Sequence, residues 1–411
     1  MNTHETLERR RELVIDTLRP DELRDHRVAD GIEVNPELLD TLDDAAKLIS
    51  VFATQMGSLS NDALNADPKD KTMGTVRQLL GTESIFQAIR RGEIVDHEFS
   101  EPRFSKADLV FTQDGIKIVE IEPGKLRGMG YGVMVRHQNP YAIGIGAQNY
   151  FDTLQTTPMT AIIMSEKDRF HIPEISVLER SITPVFLTTQ DELRLSSDQI
   201  FSRGREIAET IMMSPLTRAG IGEILLRRCV EVTSDRREDI ESKGALAIIH
   251  NAGEDEQLED LLRSYFSSED LAALRNAIPL TLHKALLSPS QLESVIESIR
   301  QGQLAFFGKP LSDSGTRGIL TPDESAELCH LLKSKHGRKI VLQEAEDCLA
   351  RDIESMGVLS GDLLSQKMNL RLTIHVSEIG EIIESTVVGS NHDYLAHGGK
   401  SSVITELKAA I

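Results

Sequence analysis

A chain of 411 residues is too long for one small core, so two or three structural units are expected. The formal net charge of -20 argues against a nucleic-acid backbone or an anionic membrane as the main partner. Aromatic residues make up 4% of the chain and tryptophan is absent, so an aromatic platform for sugars or bases is not expected.

The N-terminus is charged and helix-patterned, without the apolar stretch of a secretory signal. No apolar run approaches the ~18 residues that a membrane span needs. Three cysteines lack the spacing of a metal site and cannot all pair within the chain. Together these features predict a cytoplasmic protein.

Residues 1–95 have helical patterns over 7–18, 36–52 and 76–94, joined by polar turns. We find no catalytic constellation among them. The prediction for this region is a helical cap or an oligomer surface, which leaves a homodimer open as the assembly.

A β-hairpin is predicted next, because apolar runs flank the turn Gln113-Asp114-Gly115. Its second strand ends in Glu120 and Glu122, which a period of two places on the same face. The glycine-rich loop that follows is not a dinucleotide fingerprint, since no βαβ unit with a downstream acid surrounds it.

The hairpin opens a second unit, residues 96–215. Short buried strands are predicted at 159–164 and 183–187, and helices at 177–180 and 205–213. Residues 218–300 are predicted to be mostly helical, with one helix starting near Ser267.

The stretch LAFFGKPLSDSGTRG, residues 304–318, lies in the last unit, residues 216–411. An apolar strand ends at Lys309 and opens into a flap that carries Asp313 and several small residues. Such a flap can wrap a polyphosphate with its N–H groups while the lysine offers a positive charge. The GxxxxGK[ST] pattern of a Walker A loop is absent. Taken alone, the stretch is better explained as a tight turn with a solvated lysine than as a phosphate loop.

Beyond the flap, Thr321-Pro322-Asp323-Glu324 predicts the start of a helix that runs to about Lys335. A strand at 339–345 and an antiparallel pair at 369–376 and 381–388 follow. The chain then reaches a late glycine loop at 398–399.

The order of these segments resembles the ATP-grasp ligases. It resembles more closely their circularly permuted branch, which includes eukaryotic-type glutathione synthetase and glutathionylspermidine synthase. The resemblance covers roughly residues 100–411, with the Glu120-Ile121-Glu122 strand before the lysine segments at Lys243 and Lys309. It implies an α/β (α+β) ATP-grasp fold, circularly permuted, with an N-terminal helical region.

Carried over to this sequence, the resemblance implies ATP and Mg²⁺ as cofactors. The implied ATP contacts are Lys243, Lys309, Ser314, Gly315, Gly318, Gln343 and Glu344. The implied metal ligands are Glu120, Glu122 and Asp313. The loop closing over substrate is Gly398, Gly399 and Lys400. The arginines ranked first for steadying the substrate carboxylate are Arg103 and Arg317.

Some residues depart from the family pattern or fall outside it. Glu122 stands where the branch usually has Asn, which adds a negative charge while still offering oxygen to Mg²⁺. A late lysine of the branch is absent, and Lys400 is the candidate substitute. Arg371 is expected to be solvated. The histidines expected to lie on the surface are His375, His392 and His397.

The sequence therefore predicts an ATP-dependent carboxylate–amine ligase acting on small molecules. ATP would phosphorylate a carboxylate, and an amine would attack the acyl phosphate to give an amide, ADP and phosphate. Two alternatives stay open: a non-catalytic ATP-binding regulatory or scaffold protein, and an ATP-dependent phosphotransferase on the same core.

Overall fold

The computed structural model describes most of the chain. The described residues are 3–17, 27–91, 102–139, 141–153, 160–165, 171–182, 185–196, 199–213, 231–234, 242–251, 254–311, 318–390 and 403–409. Within them, no helix is both long enough and apolar enough to cross a membrane.

These residues form a mixed α/β fold, in which groups of helices are interspersed with groups of strands. The helices are α1 (Thr3–Thr17), α2 (Pro36–Asn65), α3 (Lys71–Leu80), α4 (Glu83–Arg90), α5 (Met129–Gln138), α6 (Ala147–Thr153), α7 (Ile172–Ser181), α8 (Lys243–His250), α9 (Glu256–Tyr265), α10 (Ser268–Ala277), α11 (Pro289–Arg300) and α12 (Ser325–Lys333). The strands are β1 (Arg27–Ala29), β2 (Ile32–Val34), β3 (Phe104–Thr112), β4 (Gly115–Pro123), β5 (Thr160–Met164), β6 (Val185–Thr189), β7 (Leu193–Ser196), β8 (Gln199–Ser202), β9 (Arg205–Ile207), β10 (Glu209–Met212), β11 (Glu231–Ser234), β12 (Thr281–His283), β13 (Phe306–Pro310), β14 (Ile340–Glu344), β15 (Ala350–Gly357), β16 (Leu363–Ser377), β17 (Ile382–Ser390), β18 (Val403–Thr405) and β19 (Leu407–Ala409).

A seven-stranded sheet in the order β15-β1-β18-β17-β16-β3-β4 forms the frame of the molecule. Helix α2 packs against β3, β4 and β16 of this sheet. Asn35 caps the helix by accepting a hydrogen bond from the Leu38 N–H, and Pro36 occupies its first turn. Its buried side chains recur every three or four residues, as in Ile49, Phe52 and Met56, so one apolar face covers the sheet.

The hairpin predicted around Asp114-Gly115 is confirmed as β3 and β4. Gly115 has φ 119°, a conformation that favours glycine. The register places Lys106 opposite Glu122 and Asp108 opposite Glu120, with a bulge between Asp108 and Leu109. The side chains of Lys106, Asp108, Glu120 and Glu122 are thereby brought together in the half of the hairpin away from its turn.

Within the described residues, four smaller sheets accompany the frame; two of them are β7-β8-β9 and the pair of β2 and β19. Strands β11-β10-β5-β6 form a parallel sheet, and β12-β14-β13 form an antiparallel one. The antiparallel sheet carries Lys309 on β13 and Gln343 on β14, and α11 and α12 enclose its apolar core.

Several sequence predictions agree with these elements, including the helix that Ser267 caps and the β16–β17 antiparallel pair. The prediction of a helix over 205–213 is wrong, because that stretch forms β9 and β10. Two short strands in the N-terminal region were also not expected. Strand β1 pairs with β15 and β18, and β2 pairs with β19, so this region is built into sheets of the C-terminal half. The unit boundaries at 95 and 215 stay predictions.

Candidate functional site

Lys243 reaches the hairpin from the N-terminus of α8. Its Nζ lies 3.0 Å from Oε1 of Glu120, and the lysine is 8% exposed. Ser242 holds this helix start in place, since its hydroxyl accepts from the Gly244 N–H at 3.2 Å and donates to the Leu79 carbonyl at 2.8 Å. The segment Ser242-Lys243-Gly244 thus fixes a lysine ammonium beside the first glutamate of the hairpin.

Lys309 approaches the same group of charges from β13. Its ammonium group donates to the side-chain oxygen of Gln343, which is buried on the neighbouring strand. Burial lowers the pKa of Lys309 to about 8; Glu120 opposes this shift and Lys243 adds to it. Two lysines from different elements therefore act on one carboxylate, an arrangement suited to holding an anion with several charges.

Glu120 is ionised in this setting. Burial by itself would raise the pKa of Glu120, but Lys243, Lys106, Lys125 and Lys309 together hold it well below its usual range. The pKa of Asp108 is lowered in the same way: burial opposes the shift, while Arg371 and Lys106 produce it.

Lys106, Asp108 and Lys125 are site residues that the sequence reasoning missed. Asp108 is 2% exposed, accepts a hydrogen bond from the Thr373 hydroxyl at 2.7 Å and lies 3.3 Å from Nη1 of Arg371. Lys106 and Asp108 alternate on β3 as Glu120 and Glu122 do on β4. The period of two, combined with an antiparallel hairpin, is the signal that could have found Lys106 and Asp108.

The donor chemistry of three carboxylates suits Mg²⁺, since ligand oxygens of Asp108, Glu120 and Glu122 all lie within 4.8 Å of one another. Each carboxylate, however, already faces a cation. Lys106 and Lys125 both contact Glu122, Lys106 also lies 3.3 Å from Oδ1 of Asp108, and Lys243 contacts Glu120. As arranged, the cluster does not fit a divalent ion placed beside Lys106.

Two sequence expectations are corrected here. Arg371 was expected to be solvated, but its side chain is 19% exposed and pairs with Asp108. His375 was expected on the surface, but it is 1% exposed on β16 and its Nε2 lies 3.2 Å from the Arg127 carbonyl oxygen. Both side chains are held in because β16 lies between β3 and β17 in the sheet.

The remaining predicted site residues occupy varied positions. Arg103 precedes β3, and its carbonyl accepts hydrogen bonds from the Tyr150 hydroxyl and the Glu378 N–H. Glu344 ends β14 and donates through its backbone to the Leu280 carbonyl. Gly318 has φ 73°, a conformation that favours glycine. The predicted residues that lie outside the described part of the chain are Asp313, Ser314, Gly315, Arg317, Gly398, Gly399 and Lys400.

Comparisons with known proteins bear on the fold. No protein-family model matches the chain, and a comparison with curated proteins finds no match. Among solved structures, a glutathione synthetase-like effector from Globodera pallida in its apo form is similar over 100% of this chain and 98% of its own. That similarity has a TM-score of 0.60 at 11% sequence identity.

Two further solved structures are more distant and carry no weight for the fold. A putative gamma-glutamylcysteine synthetase from Methylobacillus flagellatus covers 78% of this chain and 82% of its own, at 12% identity and a TM-score of 0.39. D-alanyl-alanine synthetase A from Vibrio cholerae covers 62% and 89%, at 13% identity and a TM-score of 0.27. The fold assignment therefore depends on the similarity to the glutathione synthetase-like effector, which extends over the whole chain. The chain has an ATP-grasp-type fold, as the sequence resemblance predicts, and its circular permutation stays a prediction.

Proposed function

We propose that this protein is an ATP-dependent carboxylate–amine ligase. The observation that carries the proposal is the convergence of Lys243 and Lys309 on Glu120. Glu120 lies on the seven-stranded sheet, and Lys309 lies on the sheet formed by β12, β13 and β14. The negatively charged phosphates of a nucleoside triphosphate are suitable partners for such a pair of positively charged ammonium groups. The similarity of the fold to a glutathione synthetase-like effector is consistent with it.

The reaction takes place in two steps. The γ-phosphoryl group of ATP moves to an oxygen of a small-molecule carboxylate, which gives an acyl phosphate and ADP. An amine then attacks the carbonyl carbon, phosphate leaves, and the amine gives up a proton as the amide forms. Lys243 and Lys309 neutralise the charge on the phosphates in the first step.

Glu120 has a positioning role in this proposal, because its carboxylate is the common partner of the two lysines. Gln343 has a similar role, since its side-chain oxygen accepts from Lys309 and its amide lies 3.5 Å from the Thr281 hydroxyl. Mg²⁺ and the metal role of Asp313 stay sequence predictions, and no step here depends on them.

The test measures ADP release with a panel of small carboxylic acids and amines, followed by mass spectrometry of the products. We expect Lys309→Ala and Lys243→Ala to lower turnover by about a hundredfold or more. The matched control is Lys335→Ala, since Lys335 is an exposed lysine of the same region. Circular dichroism checks that each variant is folded.

Each outcome discriminates between the alternatives. An amide product supports the ligase. A phosphate ester would identify a phosphotransferase, and nucleotide binding without turnover would identify a non-catalytic ATP-binding protein. Wild-type ADP release by Lys309→Ala would show that the lysine is wrongly assigned.

A further inference from the structure

The three-carboxylate cluster of Asp108, Glu120 and Glu122 contains an internal cation. Lys106 lies on β3 directly opposite Glu122, and its ammonium group contacts Glu122 Oε2. The same ammonium lies 3.3 Å from Oδ1 of Asp108. It thus bridges two carboxylates whose oxygens, with one from Glu120, lie within 4.8 Å of one another.

The surrounding contacts hold this ammonium in place. Lys106 is 8% exposed, so it has little access to water. Lys125, 3% exposed, contacts the other oxygen of Glu122, and Arg371 lies 3.3 Å from the second oxygen of Asp108. The carboxylates therefore have few oxygen lone pairs left for another cation on this side.

We propose that the Lys106 ammonium takes the place of a divalent ion between Asp108 and Glu122. The cluster then binds no divalent metal by itself, and phosphates are held in it chiefly by lysine side chains. Removing the charge of Lys106 converts the same three carboxylates into a divalent-ion site. Glu122 has a positioning role, since it aligns two buried lysines.

Simple electrostatics supports this assignment. Divalent ions bind carboxylate oxygens at about 2.0–2.6 Å, so a divalent ion and the Lys106 ammonium compete for the same oxygens. An ammonium and a divalent ion a few ångströms apart also repel each other strongly in a buried setting. The proposal concerns the site assigned to the ligase, but it does not depend on that activity.

The experiment is a Mn²⁺ titration without nucleotide. Binding is measured as the loss of the electron paramagnetic resonance signal of free Mn²⁺. The wild type is expected to show no binding attributable to the cluster. Lys106→Met should gain one Mn²⁺ site, at least about tenfold tighter than any wild-type binding. Mn²⁺ should also raise the melting temperature of this variant and leave that of the wild type unchanged.

Two controls define the site. Lys117→Met removes a lysine from the same hairpin, one whose Nζ donates to the Asn276 carbonyl, and it should gain no Mn²⁺ site. Adding Glu122→Gln to Lys106→Met should abolish the gained site. If Lys106→Met does not fold, Lys106→Gln takes its place.

The proposal fails under either of two results. One is a folded Lys106 variant that binds no more Mn²⁺ than the wild type. The other, which needs no Lys106 variant, is a wild-type Mn²⁺ site that Glu122→Gln removes. Neither result depends on ATP turnover, so the ligase proposal can fail or hold separately.

Discussion

Histidines held away from water tie the stability of the protein to pH. Burial lowers the pKa of His250 to about 4 and that of His375 to about 3, and it also lowers the pKa of His283. His250 and His375 stay neutral in the folded chain above those values, whereas the unfolded chain takes up a proton near the ordinary value of 6.5. Their contribution to stability is therefore complete above about pH 6.5 and is lost as the pH falls toward the folded-state values.

We expect the free energy of unfolding to fall between about pH 7 and pH 5. His250 alone should account for about 2 kcal/mol of this fall, because its protonation in the unfolded chain lowers the free energy of unfolding by about 1.4 kcal/mol per pH unit below about 6.5. Urea unfolding at the two pH values measures this. His250→Gln should show a shallower pH dependence than the wild type, whereas the exposed control His336→Gln should not. Equal pH dependence in His250→Gln and the wild type would contradict the assignment.

Single residues of the site were predictable where they lie beside a glycine near the start or end of an element. Lys243 precedes Gly244, and Lys309 follows Gly308, so both stood out in the sequence. Lys106 and Asp108 lie inside a strand, on either side of Ala107, and no local feature distinguishes them there. Only the register of the hairpin, with Lys106 opposite Glu122, brings them into the site.

At the scale of elements, α8 depends on a close approach to α3. A Cβ on Gly244 would lie 2.1 Å from the Leu79 carbonyl oxygen, so only glycine fits. Ser242 donates to that same carbonyl, which binds the start of α8 to the end of α3. The position of Lys243 is therefore set by this helix–helix contact as well as by Glu120.

Gly244→Ala should push α8 away from α3, with a stability loss of about 1–3 kcal/mol because the Leu79 backbone cannot yield easily. It should also weaken nucleotide binding by displacing Lys243. The matched control is Gly74→Ala on α3, whose Cβ would lie at 3.6 Å from the Arg77 side chain. That change should be neutral or slightly stabilising. Calorimetry and nucleotide titration measure both effects, and a Gly244→Ala variant with unchanged stability would refute the steric explanation.

Elements with a clear period were predictable, and those set by distant partners were not. Asp114-Gly115 between apolar runs predicted the hairpin of β3 and β4, and Ser267 predicted the start of α10. Residues 205–213 have apolar spacing that suits a helix. Their pairing with β5 instead makes β10 a strand, because tertiary contacts override local preference. Strand β1 has three residues, and its partners lie more than 300 positions away, so no local signal marks it.

At the scale of the whole molecule, the two ends of the chain are joined by a buried ion pair. Arg10 on α1 donates to both oxygens of Glu406, at 2.7 and 2.5 Å, and to the Ala29 carbonyl at 3.0 Å. Glu406 is 0% exposed and follows β18, which pairs with β1. The N-terminal helix is thereby bound to β1 and to the segment that follows β18.

Breaking this ion pair should destabilise the whole molecule. Arg10→Met leaves the Glu406 carboxylate buried without its main partner, so we expect a loss of about 3–5 kcal/mol in the free energy of unfolding. The double variant Arg10→Met with Glu406→Leu should recover much of that loss, because no charge is then left buried. Lys47→Met is the control, since Lys47 pairs with Asp44 on the surface and its removal should leave stability unchanged. Urea unfolding of the four proteins separates these cases. An Arg10→Met variant as stable as the wild type would show that the pairings of β1 with β18 and of β2 with β19 hold these regions together without the ion pair.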